Sequence, residues 1–227
     1  MLPPPRLLPL LVLAVSMAAC GASPEPTAAT RTMTVKLPLP VADKAVIDAA
    51  GEVFAKRLKA LGISNFTMTV GDTMEFVLVV PLTFDGKLVD EVLKRAGTFE
   101  FVRWPANDVD PTAGGLVPAA ATPLFDATAG ITSAEVSTDS SGMPALTIKL
   151  SSAGSQAIAT YTAQHIGEFM VLALDGRVLA APIVSAPIIG GDLRITFPTA
   201  EPPEIPLAAL AAMMTSGPLP EAWSTQP

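Results

Sequence analysis

A single histidine and a single cysteine set narrow limits on the chemistry open to this chain of 227 residues. His165 has Tyr161 and Thr162 close by in sequence. A nucleophile–base pair needs both groups within hydrogen-bond reach, and the local spacing makes no such pair. His165 therefore reads as a solvated or capping residue. The stretch Ala153-Gly154-Ser155-Gln156-Ala157 echoes the elbow that presents a nucleophilic serine. It lacks the first glycine, and its serine falls at a helix start instead of after a strand, so capping is the better reading. Gly190-Gly191-Asp192 has neither the spacing nor the following lysine of a phosphate loop. A structural Cys/His metal cluster needs more thiols and imidazoles than the chain has. Asp108 and Asp110 are suited to contact a hard cation, but two carboxylates do not make a site. Glu201, Glu204 and the pair Asp90-Glu91 read as solvated charges. Met213-Met214 fits either an adaptable binding surface or core packing. The residues thus name no catalytic group, no metal ligand and no cofactor, and an enzyme is the least supported class.

The cysteine points to a different chemistry. Residues 1–19 read MLPPPRLLPLLVLAVSMAA: positive charge from Arg6 and the amino terminus, an apolar run from Leu7 to Val15 broken only by Pro9, then small residues. That is the layout of a secretory signal. The run is too short to span a bilayer, which takes about 20 residues. Met17-Ala18-Ala19-Cys20-Gly21 follows and resembles the lipobox of bacterial lipoproteins, with Met17 where leucine is usual. The resemblance implies acylation of Cys20 and a lipid anchor on the extracytoplasmic side of a bacterial membrane, the acyl chains together being enough for stable attachment. Residues 20–32, rich in Ala, Thr, Ser and Pro, read as a flexible tether.

Half the residues are hydrophobic, only 15% are charged and the mean hydropathy is +0.48. Such a chain can bury a sizeable core. The formal charge is −7, and no Lys or Arg follows Arg194. Nucleic acid needs clustered positive charge and is therefore not an expected partner.

The elements that would position any site follow from periodicity. Residues 33–39 alternate as a strand. Asp43 can cap a helix whose Ile47, Ala50, Phe54, Leu58 and Leu61 share a face. Lys56, Arg57 and Lys59 crowd its last turns, where cations suit the helix dipole. Phe66 to Val70 and Met74 to Val80 read as strands, Gly86 to Ala96 as a helix capped by Asp85, and Thr98 to Trp104 as a strand. Strand, helix, strand, strand, helix, strand is the split βαβ order of ferredoxin-like domains. A loop-rich stretch near 105–125 follows. Further on, residues 134–139 and 144–150 read as paired strands. Ser151 or Ser152 can then cap a helix. Asp175-Gly176 marks a two-residue hairpin turn inside MVLALDGRVLAAPIV. Leu193 to Phe197 is a last strand, and Leu207 to Met214 a helix apolar nearly all round. The class is α+β.

The stretch LALDGRVLAAPIVSAPIIGGDLRITF, residues 172–197, resembles the DG–V–AP–I–GG region in the first periplasmic domain of the SecD and SecDF export proteins. Upstream, Gly154, Ile158 and Thr162 resemble that family's helix positions. Downstream, LAALAAMMTSGPLP resembles its apolar helix and Gly-x-Leu-Pro turn. Ala60-Leu61-Gly62-Ile63 and Gly97-Thr98-Phe99-Glu100-Phe101 resemble its helix end and strand start. The resemblance implies a ferredoxin-like base at 33–110, an α+β head at 111–200, and a C-terminal helix and tail at 201–227 returning to the base. It further implies contact with exported polypeptide or Sec translocon components. The family also has transmembrane helices with a proton-coupling aspartate. No apolar stretch after Cys20 approaches 18 residues, so an autonomous proton-driven motor is not expected. Binding of extended chains is the activity to look for, at Val178, Leu179, Ile183, Val184, Leu210 and Met213. The alternative is an envelope scaffold lipoprotein that binds a fixed partner without catalysis.

Overall fold

The computed structural model describes residues 32–38, 43–71, 75–81, 84–105, 110–197 and 204–221. The leader, Cys20, the tether up to residue 31, Asp108 and Glu201 lie outside them. The described residues all belong to one unit, Arg31–Pro227.

Strand β1 is Thr32–Pro38. Asp43 then caps α1, Lys44–Ala60, its carboxylate accepting from the Ala45 amide at 2.8 Å. Ala50, Phe54 and Leu58 are buried on the face set by the helical period, with Ile47 and Leu61 packed beside them. Strands β2, Thr67–Gly71, and β3, Glu75–Pro81, follow. Helix α2, Gly86–Lys94, starts at Asp85, which accepts from the Lys87 amide at 2.9 Å. Strand β4 is Phe99–Arg103.

Strands β1, β3 and β2 form an antiparallel sheet in that order, as the split βαβ arrangement requires. Strand β4 pairs elsewhere. Its neighbours are β5, Thr122–Pro123, on one edge and β8, Met170–Leu174, on the other. Its side chains give the reason. Phe99 and Phe101 enter the main core, while Val102 and Trp104 enter a second cluster with Val171 and Val178. A strand apolar on both faces belongs inside a sheet that is covered on both sides.

Helix α3, Ala127–Gly130, leads into β6, Ile131–Thr138, and β7, Pro144–Leu150. Their connection closes on Asp139, whose carboxylate accepts from the Ser141 and Met143 amides at 2.8 and 2.9 Å. Ser151 caps α4, Ser152–Gln164. Strand β8 turns into β9, Arg177–Ala180, and β10, Asp192–Thr196, completes the sheet β10–β7–β6. Helix α5, Leu207–Ser216, packs against α1, α2 and β6 and buries Ala209 through Met214. Phe54, Phe101, Leu146, Ile148, Leu172 and Leu210 share the main core, so residues far apart among those described pack around one centre. Among the described residues, no helix is long and apolar enough to cross a membrane.

Candidate functional site

The Asp175-Gly176 turn organises one end of the molecule. Both residues have positive φ, 50° and 73°, as a two-residue hairpin of this type demands. The Asp175 amide donates to the Thr98 carbonyl at 2.9 Å, and the Asp175 carboxylate accepts from the Thr98 amide at 2.8 Å. The turn is thereby fastened to the start of β4. Strand β9 leaves it as the outermost member of the sheet β5–β4–β8–β9.

The outer edge of β9 is not bare. The Gly114 amide donates to the Val178 carbonyl at 2.8 Å and the Val178 amide donates to the Gly115 carbonyl at 2.8 Å. The Val117 amide donates to the Gly176 carbonyl at 2.9 Å, and an Arg177 guanidinium N–H donates to the Gly114 carbonyl at 3.0 Å. Beside the turn lies a cavity of about 310 Å³, lined by Leu174, Val178, Leu179 and Ile205 together with the charged Arg95, Asp175, Arg177 and Glu204.

Most of the six residues expected to contact a bound chain lie in the interior. Val178 is 2% exposed, packed with Val102, Trp104 and Val171, and Val184 is 5% exposed. Leu210 and Met213 are fully buried because α5 is covered all round, which makes the two methionines core packing. Leu179 is half-buried, and Ile183 stands open to solvent. Alternation in a strand cannot say which face is covered, and an all-apolar helix has no outer face to offer.

Ser155 and His165 sit at opposite ends of α4. The cap is Ser151, whose hydroxyl accepts from the Gly154 amide at 3.2 Å, while Ser155 lies inside the first turn and its hydroxyl donates back to the Ser151 carbonyl at 2.8 Å. His165 ends the helix, stacks on Tyr161 at 4.5 Å and meets the Glu168 carboxylate at 3.0 Å. Arg103 approaches the other Glu168 oxygen at 3.5 Å. The hydrogen bond from His165, and then the charges of His165 and Arg103, hold the Glu168 carboxyl below its ordinary range. Thr162 donates to the Ile158 carbonyl at 2.8 Å and accepts from the Ile188 amide at 2.9 Å, so its one O–H is committed to the backbone.

Arg57 is the residue that sequence reasoning misplaced. It is fully buried. One guanidinium nitrogen donates to the carbonyls of Val92 and Arg95 at 2.6 and 2.8 Å. Another donates to Ala96 and Gly217 at 2.7 and 3.2 Å, and Nε donates to the Ser216 hydroxyl at 3.3 Å. It does not serve the C-terminus of its own helix. It closes the ends of α2 and α5 and ties both to α1. Burial lowers its pKa to about 10, opposed by the nearby Asp175 carboxylate, so it stays cationic at neutral pH. The signal was present in the spacing: Arg57 lies three residues after Phe54 and four before Leu61, on the apolar stripe.

Residues 122–221 match the family model for the SecDF P1 head subdomain. The chain carries a SecD-like head. Among curated relatives, the protein translocase subunit SecD of Rhodobacter capsulatus is 37% identical over 89 residues, 38% of this chain and 16% of that one. The SecD subunit of Acidaminococcus fermentans is 27% identical over 154 residues, 68% of this chain and 33% of that one. The SecD-like chain thus aligns with a third or less of these relatives. A solved structure of SecDF in its super-membrane-facing form has a TM-score of 0.65 at 18% identity, covering 83% of this chain and 28% of the other. A second, of SecDF described as a membrane component that enhances protein export, has a TM-score of 0.60 at 20% identity and covers 83% of this chain and 95% of the other. At those identities the two structures establish the fold, an α+β likeness to the first periplasmic domain of SecDF that reaches beyond the head. The head match starts at β5 and takes in α5, although α5 packs on α1 and α2.

Proposed function

We propose that this chain is an exported lipoprotein whose SecD-like domain binds extended exported polypeptide outside the cytoplasm and assists protein export. The observation that carries the reading is the head match at 122–221, within which strand β9 sits at the end of a sheet. Polypeptide recruited to a sheet edge is held mainly by backbone pairing, which tolerates varied sequences. Ordering a flexible chain costs entropy, so the affinity should be modest. A base near 33–110 and a head near 111–200, with the C-terminal helix returning to the base, are the working division. Since SecD relatives are much longer, their whole activity is not transferred here.

The test is a titration of the chain with lactalbumin in two states, folded and reduced-carboxymethylated. Preference for the unfolded state is expected. Equal binding to both states, or none, favours the second reading, an envelope scaffold with a fixed partner. That reading is supported by the burial of Val178, Val184, Leu210 and Met213.

The anchor is tested separately. Cells fed a fatty-acid analogue should label the natural chain and leave Cys20→Ser unlabelled and released from membranes. Label retained by the variant removes the lipoprotein from the proposal.

A further inference from the structure

Strand β9 ends its sheet, yet its outward backbone groups at Gly176 and Val178 are taken by residues of the same chain. The covering segment is short and irregular. Gly114 has φ +78°, and the Gly115 amide turns back to the Thr112 carbonyl at 2.9 Å. Thr112, Ala113, Gly114 and Leu116 are exposed, Leu116 by 70%. The segment therefore buries almost no apolar surface and is held by backbone bonds and one arginine contact. Segments with few buried contacts are those that open locally. Two consecutive glycines add to the ordering cost. The anchor lies at its far end, where Val117 packs against the cluster of Val102, Trp104, Val171 and Val178.

We propose that residues 112–116 are a resident strap occupying the β9 edge, and that an extended polypeptide binds by displacing it while Val117 stays packed. The inference rests on the polypeptide-binding reading and names its site and its control. From Gly115 to Val117 the segment makes two of the backbone bonds an added strand would make, to Val178 and Gly176, and a bulge at Gly114 supplies the bond to the Val178 carbonyl, so the edge accepts an antiparallel chain in this register. It also supplies Ala113 and Gly114 to the wall of the 310 Å³ cavity. Its removal widens that cavity, leaving Leu174, Leu179 and Ile205 to receive an apolar side chain of the incoming strand, with no sequence requirement beyond an apolar residue. The resident Leu116 points to solvent and gains nothing from the cavity, so a chain with an apolar side chain in the right register outcompetes it.

The test follows from the register. Leu116 and Arg177 face each other as an antiparallel bridge, and the bonds flanking them run through Gly115, Val178, Val117 and Gly176. They are thus a non-hydrogen-bonded pair, whose Cα separation of about 4.5 Å suits a disulfide. The full chain carrying Cys20→Ser, Leu116→Cys and Arg177→Cys is titrated with reduced-carboxymethylated lactalbumin while oxidised and again after reduction. Oxidation is expected to weaken binding at least tenfold, and reduction to restore it. Gly114→Pro removes one amide donor and cannot hold φ +78°, so it should strengthen binding several-fold. Melting temperatures show that each form is folded. Equal binding by the oxidised and reduced forms, in a chain that does bind, overturns the strap and leaves the polypeptide reading standing. Absence of binding in every form, Gly114→Pro included, overturns both.

Discussion

Arg57→Met is expected to lower the stability of the folded chain by about 3 kcal/mol. Two opposing effects set the size. Burying a cation costs several kcal/mol, and methionine avoids that cost. At neutral pH this favours the variant. Because the folded-state pKa is depressed to about 10, the cost fades only as pH rises through that value toward the guanidinium's ordinary range. Against it stand the acceptors. Arg57 satisfies the carbonyls of Val92, Arg95, Ala96 and Gly217 and the hydroxyl of Ser216. Ala96 keeps the Leu219 amide and Gly217 keeps the Ser216 hydroxyl as donors, but the Val92 and Arg95 carbonyls lose theirs at about 1–3 kcal/mol each, and with the charge-assisted bonds lost at Ala96, Gly217 and Ser216 this outweighs the relief. Methionine also fills less of the space where Gly97 abuts the guanidinium; a Cβ at Gly97 would meet Nη2 at 2.3 Å. Arg57→Lys should be intermediate, because one ammonium cannot reach the spread of acceptors a planar fork serves. Urea unfolding decides the matter: a lower midpoint at constant slope is the expected result. A midpoint equal to that of the natural chain would show that Arg57 does not hold the three helices together.

Gly154→Ala should destabilise by about 2 kcal/mol, although alanine is the better helix former. In an open helix the change would gain about 0.5–1 kcal/mol. Here a Cβ would stand 2.5 Å from the Gly130 carbonyl oxygen and 3.1 Å from its Cα. The obstacle is backbone, and it cannot move freely. The Gly130 carbonyl accepts from the Ser151 amide at 2.8 Å, and Gly130 itself is pressed by the Phe125 ring, 2.1 Å from where its own Cβ would be. Overpacking of this kind costs about 1–3 kcal/mol or more, so the clash wins over propensity. Thermal melting of Gly154→Ala and of Gly51→Ala, a glycine inside α1 whose Cβ would meet only side-chain atoms, the nearest at 3.3 Å, separates packing from a general glycine effect. A melting temperature for Gly154→Ala at or above that of the natural chain would mean the helices can part without loss.

Much of the local structure was legible because it is decided within a few residues. The caps at Asp43, Asp85 and Ser151 bond to amides two or three positions on, and the Asp175-Gly176 turn requires only two positive φ values. The family likeness was legible for a related reason. It rests on the order and spacing of turn and helix-end residues, which the chain carries whether or not it is folded. The candidate contacts were less accessible. Val178 and Val184 were apolar positions in apparent edge strands, and Leu210 and Met213 lay on an apolar helix. Whether such side chains face water depends on what packs over them, and that comes from distant parts of the chain.

The amino-acid sequence by itself determined the α+β class, the succession of elements from β1 to α5 apart from β5 and α3, the hairpin at Asp175-Gly176 and the SecD-like character of residues 172–197. Each is set by short-range stereochemistry or by a linear pattern. Tertiary structure alone decided that β4 pairs with β5 and β8, since a strand apolar on both faces is placed by whichever layers cover it. It decided that Arg57 goes inward, because its acceptors come from helix ends 35 to 160 residues away. It also decided that the edge of β9 is occupied by residues 114–117, a pairing across some 60 residues that no local propensity encodes.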